Sequence, residues 1–175
     1  MASKKTRAAS SQDAALDIET RVTDDHHESV RLWLRLLACT NLIESRIRQR
    51  LQSEFDTTLP RFDLMAQLER APDGLKMGEL SRRMMVTGGN VTGIADMLER
   101  DGLISREEDQ NDRRAYWVKL TREGRRVFAK MAAVHESWVI ELFEGLTDAE
   151  KQLLTRHLGR LKTIILARDN RDVAA

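Results

Sequence analysis

The sequence predicts a mainly α fold with one small β-hairpin. Three observations lead there. Apolar residues recur at helical spacing over most of the 175 residues. One stretch alone, Leu103 to Thr121, reads as strand, polar turn and strand, with "AYWVKL" alternating and rich in β-formers. The helical segments just before that stretch are short, whereas those towards the two ends of the chain are long.

Taken in order, Glu28 to Phe55 places Leu32/Trp33, Leu36/Leu37, Leu42/Ile43, Ile47, Leu51 and Phe55 on one wide apolar face. Pro60 opens a second helix through about Arg70, with Phe62, Met65 and Leu68 inward, and "APDG" at 71–74 marks a turn. A short helix from about Met77 to Met85 turns Leu80 and Met84 inward. Thr87 can cap the next, which runs to about Arg100 with Val91, Ile94 and Leu98 inward. Gly102 sits where a helix end wants a left-handed residue. After the hairpin, Thr121 caps a long helix with Val127, Met131, Val134, Trp138 and Leu142 inward. Gly145 breaks it, and Thr147 caps a last helix with Leu154, Leu158, Leu161 and Ile165 on one stripe. The outer helices hold more apolar face than the small middle can cover, so a second copy is the expected cover.

Bulk properties narrow the function. The net charge is +1, and residues 61–125 hold 12 Lys/Arg against 12 Asp/Glu, so any nucleic-acid role rests on where the charges sit. The single cysteine, Cys39, excludes an internal disulfide and fits a reducing cytosol. No uncharged apolar run approaches the ~20 residues of a membrane span, and no apolar segment follows the basic MASKKTR start. A cytoplasmic protein with no membrane partner is expected.

Two adjacent glycines in "VTGGNVTGIADMLERDGLI" stand where a helix begins. A phosphate loop would need G-x-x-x-x-G-K-[ST] after a strand. Here the preceding segment is helical and no lysine follows Gly93. A DNA reading uses every part: two short helices about three residues apart and then a hairpin make a winged helix-turn-helix, whose second helix enters the major groove by its N-terminal end. Gly88 and Gly89 remove side chains there, while Thr87, Asn90 and Thr92 offer donors and acceptors to phosphates or base edges. At the hairpin tip Arg113 and Arg114 can enter a minor groove, with Asp112 holding one of them. The plain alternatives are a loosened helix start and a solvated turn with surface ion pairs.

On these residues the chain resembles the MarR family of dimeric winged-helix regulators. The matching runs are "MGELSRRMMVTGGNVTGIADMLERDGLI" and "DRRAYWVKLTREG". The second follows a D-x-R wing signature leading into V-x-L-T-x-x-G through Asp112, Arg114, Val118, Leu120, Thr121 and Gly124. The resemblance covers about Glu28 to Arg168. It implies a homodimer on a palindromic operator in double-stranded DNA, usually as a repressor, released by a small ligand or oxidant. It also implies DNA contacts from Ser81, Thr87, Asn90, Thr92 and Arg114. The family's recognition helices often carry arginine at the positions of Gly93 or Met97. This chain does not, and Arg100 is the candidate substitute. The implied division is a mobile polar tail at 1–24, an N-terminal helix for dimerisation and ligand at 25–58, the winged lobe at 59–122, C-terminal dimerisation helices at 123–168 and a tail at 169–175.

The run from "LRLLACTNLIE" to "MMVTGGNVTG" is also similar to a subgroup tied to breakdown of plant-derived aromatic acids, which implies an aromatic acyl-CoA effector such as a hydroxycinnamoyl-CoA. No cofactor is expected. The candidate effector lining is Trp33, Leu36, Arg46, Arg61, Phe62, His135 and Trp138, with aromatics for a phenolic ring and arginines for carboxylate or phosphate. Trp33 and Trp138 equally suit a core. An oxidant sensor through Cys39 is the rival within the family, although its apolar neighbours suggest a buried, inert thiol. The histidines are too scattered for a metal site. The remaining alternatives are an interaction or architectural module without an operator, and an enzyme acting on an aromatic CoA ester. No nucleophile with a paired base supports the enzyme, and no catalytic residue is assigned.

Overall fold

Residues 28–84, 88–109 and 116–172 are described in the computed structural model. The expected tail at 1–24, the cap Thr87 and the hairpin tip with Asp112, Arg113 and Arg114 lie outside them. The chain divides into two compact units, Met1–Arg125 and Arg126–Ala175.

The first unit begins with α1, Glu28–Phe55. It stops because Asp56 turns left-handed at φ 48°. There the Thr57 N–H closes on the Leu51 carbonyl at 3.3 Å, and the Gln52 amide donates to the Asp56 carboxylate at 2.7 Å. Asp tolerates this conformation better than most residues do. Helix α2, Leu59–Glu69, starts with Pro60 in its first turn, where a missing N–H costs nothing. The turn at 71–74 closes through the Gly74 N–H on the Ala71 carbonyl at 2.8 Å. Gly74 has φ +96°, and a Cβ there would lie 2.8 Å from the Val118 carbonyl oxygen.

Beyond the turn come β1 (Leu75–Lys76), α3 (Met77–Met84), α4 (Gly88–Arg100), β2 (Ile104–Glu108) and β3 (Tyr116–Leu120). The sequence predicts a two-stranded hairpin, but the sheet has three antiparallel strands in the order β1-β3-β2. Two residues are too few to show an alternating period, so β1 is set by its partner: Leu75 pairs with Val118 and Lys76 with Trp117. On the other edge Ile104 pairs with Leu120, Arg106 with Val118 and Glu108 with Tyr116.

One face of this sheet, through Leu75, Ile104, Val118 and Leu120, meets Phe62, Leu64, Met65, Leu68, Leu80, Val91, Ala95 and Leu98 in the core, together with Ile47 and Leu51 of α1. Leu64 and Ala95 are fully buried and were not among the expected inward residues, whereas Met84 and Ile94 are half-buried. Truncating Leu98, at 0% exposure, would cost about 2–5 kcal/mol.

Helix α4 ends in a paired C-terminal lock. The Leu103 N–H reaches the Leu98 carbonyl and the Gly102 N–H the Glu99 carbonyl, both at 2.9 Å, with Gly102 at φ +71°. Thr121 ties this lock to helix α5, Arg122–Leu142. Its hydroxyl donates to the Gly102 carbonyl at 2.8 Å and accepts the Gly124 N–H at 2.9 Å, capping α5. A Cβ on Gly124 would lie 1.9 Å from the Leu103 carbonyl oxygen, so glycine is required by close approach.

The second unit holds the rest of α5 and α6, Asp148–Asp172. Thr147 and Glu150 form a reciprocal cap. The Thr147 N–H donates to the Glu150 carboxylate at 2.8 Å, and the Glu150 N–H reaches the Thr147 hydroxyl at 3.4 Å. The hydrogen bonds from the Thr147 side chain and backbone hold the Glu150 carboxyl below its usual value. Helix α6 runs past the expected end at 168, because the polar "ARDNRD" contains no glycine or proline to stop it. Phe128, Met131 and Trp138 are buried, but four residues expected inward are not: Leu142, Leu154, Leu158 and Ile165 are exposed on the single chain.

Candidate nucleic-acid interface

Helix α4 buries Val91, Ala95 and Leu98 at helical spacing, which fixes its outward face. That face carries Gly89, Asn90, Thr92 and Gly93 first and Asp96, Met97 and Arg100 later, all exposed. Gly88 opens the helix. A Cβ on Gly89 or Gly93 would meet nothing within 4 Å. Neither glycine is therefore required by the chain's own packing, and the first turn and a half presents only small polar groups. Ser81, on α3, is half-buried. Arg100 lies twelve residues beyond Gly88, about 18 Å along the axis. From Met97 it is three residues, or about 4.5 Å along the axis.

The neutral charge balance of this lobe has a spatial explanation. The first turn of α4 has no acidic residue. Its acids lie in the second half and at the end, each tied to an arginine from elsewhere in the lobe. Arg106 of β2 bonds Asp96 at 2.5 Å and lies 3.4 Å from Glu99, and Arg61 of α2 pairs with Asp101. Both guanidiniums are mostly buried, and each leaves its Nε without a hydrogen-bond partner among the described residues. Such pairs fix geometry more than they add stability. They hold α4 against α2 and the sheet and keep negative charge away from its N-terminal end. Arg61, expected to meet an effector, pairs with Asp101 at the end of α4. Arg106 was not foreseen, since nothing in its immediate sequence names Asp96 as a partner ten positions earlier.

The root of the hairpin holds a second unforeseen cluster. Asp109 follows the last residue of β2 and is 6% exposed. Its Oδ2 accepts from Lys76 Nζ at 2.6 Å and from the Trp117 indole N–H at 2.9 Å. The Lys76 ammonium lies 5.3 Å from the centroid of the Trp117 ring. The sequence signal was an aromatic on the face of β3 opposite Val118 and Leu120, where alternation predicts a polar residue.

The expected effector residues are divided between the two units. In the first unit, Trp33 is 59% exposed, Leu36 half-buried, Arg46 exposed, and Phe62 buried in the core. In the second, Trp138 is buried, with His135 edge-on at 6.3 Å between ring centroids, and burial holds the His135 imidazole below its usual value. Cys39 is exposed on the single chain rather than buried. A groove of about 490 Å³, unforeseen from sequence, opens between the end of α1 and the start of α2, lined by residues including Arg48, Gln52, Thr57 and Pro60. That volume suits a small molecule. Among the described residues no group of three or more His, Cys, Asp or Glu is placed to hold a metal. No described helix is long and apolar enough to cross a membrane.

Comparison with known proteins bears on this geometry. The MarR family model matches residues 57–116, from the end of α1 to the start of β3. The transcriptional activatory protein BadR of Rhodopseudomonas palustris is 29% identical over 134 residues, which are 75% of this chain and 70% of that protein. The crystal structure of a MarR family transcriptional regulator from Silicibacter pomeroyi is 32% identical, with a TM-score of 0.68 over 82% of this chain and 99% of that one. Sco3205 of Streptomyces coelicolor, a MarR family transcriptional regulator crystallised in complex with DNA, shares the fold at 23% identity. Its TM-score is 0.71 over 83% of this chain and 90% of that one.

Proposed function

The chain belongs to the MarR family of transcriptional regulators, and on that premise we propose that it works as a homodimer that binds a palindromic operator and leaves it when a small aromatic effector binds. The observation that carries this reading is the outward face of α4. Its first turns are exposed, acid-free and reduced to Gly89, Asn90, Thr92 and Gly93, while its acids are tied to Arg106 and Arg61 further along. A helix N-terminus of that shape enters the major groove closely. Asn90 pairs with adenine and the Thr92 methyl meets thymine. Ser81, Thr87 and the N–H groups of Gly88 and Gly89 hold phosphates. At the wing tip Arg114 enters the minor groove, with Arg113 beside it and Asp112 orienting the pair.

Dimerisation is supported by the apolar side chains left exposed on α1 (Leu32, Trp33, Leu37, Leu42) and on α6 (Leu154, Leu158, Ile165). On a site overlapping a promoter the protein acts as a repressor. The R. palustris relative is named an activatory protein, so position decides the sign. The neutral charge balance of the lobe is compatible with DNA binding because its charges are segregated along α4.

For the effector we infer an aromatic acid or its CoA thioester, on the resemblance of the 34–93 region and on the exposed Trp33 beside Leu36, with Arg46 exposed on the same helix. A bound thioester disfavours the DNA-bound state by adding negative charge and changing lobe spacing, which supplies the differential affinity release needs.

The test is selection of genomic DNA fragments on the protein at physiological salt, followed by titration of the bound complex with hydroxycinnamoyl-CoA, the free acid and CoA alone. An enriched palindrome released by the thioester or the acid is expected. Enrichment without release by any of the three removes the effector assignment, and no enrichment removes the operator.

A further inference from the structure

The wing of this lobe is a hairpin whose last registered pair is Glu108 with Tyr116. Seven residues, 109–115, therefore join the strands, and Asp109 is the first of them. At the root of the hairpin a single carboxylate oxygen joins all three strands. Asp109, just beyond β2, accepts from Lys76 of β1 and from the indole N–H of Trp117 of β3, and the Lys76 ammonium also faces the Trp117 ring. Lys76 and Trp117 are themselves a cross-strand pair. Burying a carboxylate to 6% exposure costs free energy unless it is paired and hydrogen-bonded, and an apolar residue would fill the same space without that cost. What an apolar residue lacks is direction. Two donors converging on one oxygen fix the backbone of residue 109, and thus the first link of the wing tip, relative to β1 and β3.

We propose that Lys76, Asp109 and Trp117 form a positioning clasp that sets the angle at which the wing approaches DNA, with Asp109 as its centre. None of the three needs to touch DNA. The inference rests on the operator-binding reading above and deepens it, because it locates the control of minor-groove contact in the sheet rather than in the tip. The short β1 acquires a purpose: it carries Lys76 to the outer side of β3.

The experiment compares the wild-type dimer with Asp109→Asn and Trp117→Phe on an operator that the wild type has enriched. Each complex is footprinted with hydroxyl radical, which reports the minor groove, and with dimethyl sulfate, which reports guanine N7 in the major groove. Thermal unfolding is measured alongside. Asp109→Asn retains an acceptor for the indole but loses the ion pair, and Trp117→Phe retains the ring but loses the N–H. The expected result for either variant is about tenfold weaker binding, hydroxyl-radical protection lost at the edges of the site, dimethyl sulfate protection kept, and a melting temperature close to wild type. Wild-type affinity with both protections intact would overturn the clasp. So would joint loss of both protections with a lowered melting temperature, which is the mark of a purely structural residue. Should Asp109→Asn fail to fold, Trp117→Phe decides by the same criteria. Absence of any enriched operator for the wild type would instead remove the reading on which the clasp rests.

Discussion

Gly89 of α4 and Gly124 of α5 both lie in the first unit, yet the structure requires only one of them. At Gly124 an added Cβ would sit 1.9 Å from the Leu103 carbonyl oxygen, and the N–H of the same residue is the donor that Thr121 caps. Gly124→Ala is expected to destabilise the fold by about 1–3 kcal/mol, read as a lowered urea midpoint. At Gly89 an added methyl meets nothing within 4 Å. Gly89→Ala should leave stability unchanged or raise it by up to about 1 kcal/mol, while weakening operator binding by holding the helix end off the duplex. A variant that binds as wild type would show that Gly89 is only an incidental break in the helix start. Asn90→Ala makes a separate demand: it should relax sequence preference more than it lowers total affinity, as measured on operator variants, and unchanged selectivity would remove Asn90 from base readout. The sequence showed both glycines but not the difference between them, which depends on Leu103, twenty-one positions before Gly124.

At the scale of elements, legibility followed the length of the pattern. The 28-residue α1 was read at both ends, because its apolar face repeats over many turns. The two residues of β1 were not legible at all, since their structure is imposed by Val118 and Trp117. The arginine ties of α4 were hidden for a related reason: pairing between Arg61 and Asp101 is a property of packed elements, not of neighbours in sequence. The junction of α1 and α2 yields a pH prediction. Burial, and then the nearby Glu44, raise the Asp63 carboxyl above its usual 3.8, against the opposing pull of Arg48. A carboxyl raised on folding contributes stability that is present below its usual value and is lost as pH rises through the folded value. Asp63→Asn should therefore unfold at higher urea than wild type at neutral pH, with the advantage shrinking as pH falls towards 4. An unchanged midpoint at neutral pH would contradict that sign.

At the scale of the whole molecule, the near-zero net charge says little about DNA binding, because the relevant quantity is local. Acids occupy the far half of α4 and its end, each held by an arginine, while the first turn is acid-free. The apolar residues exposed on the single chain are the other global feature, and the sequence had already implied them by offering more apolar face than one chain can bury. Leu158, exposed on α6, is a suitable probe. Leu158→Glu should shift the protein from dimer to monomer in sedimentation and weaken operator binding by about a hundredfold, and a variant that remains dimeric would place the interface elsewhere. The effector lining was the least legible part, because its expected residues are drawn from α1, α2 and α5 and no local pattern joins them. In the proposed dimer, two α4 helices enter successive major grooves. The most direct test of this placement is an equilibrium titration of the enriched site against the same site with five base pairs inserted at its centre, about half a helical turn. The insertion is expected to reduce affinity to that of an unrelated duplex. Equal affinity for the two sites would contradict it.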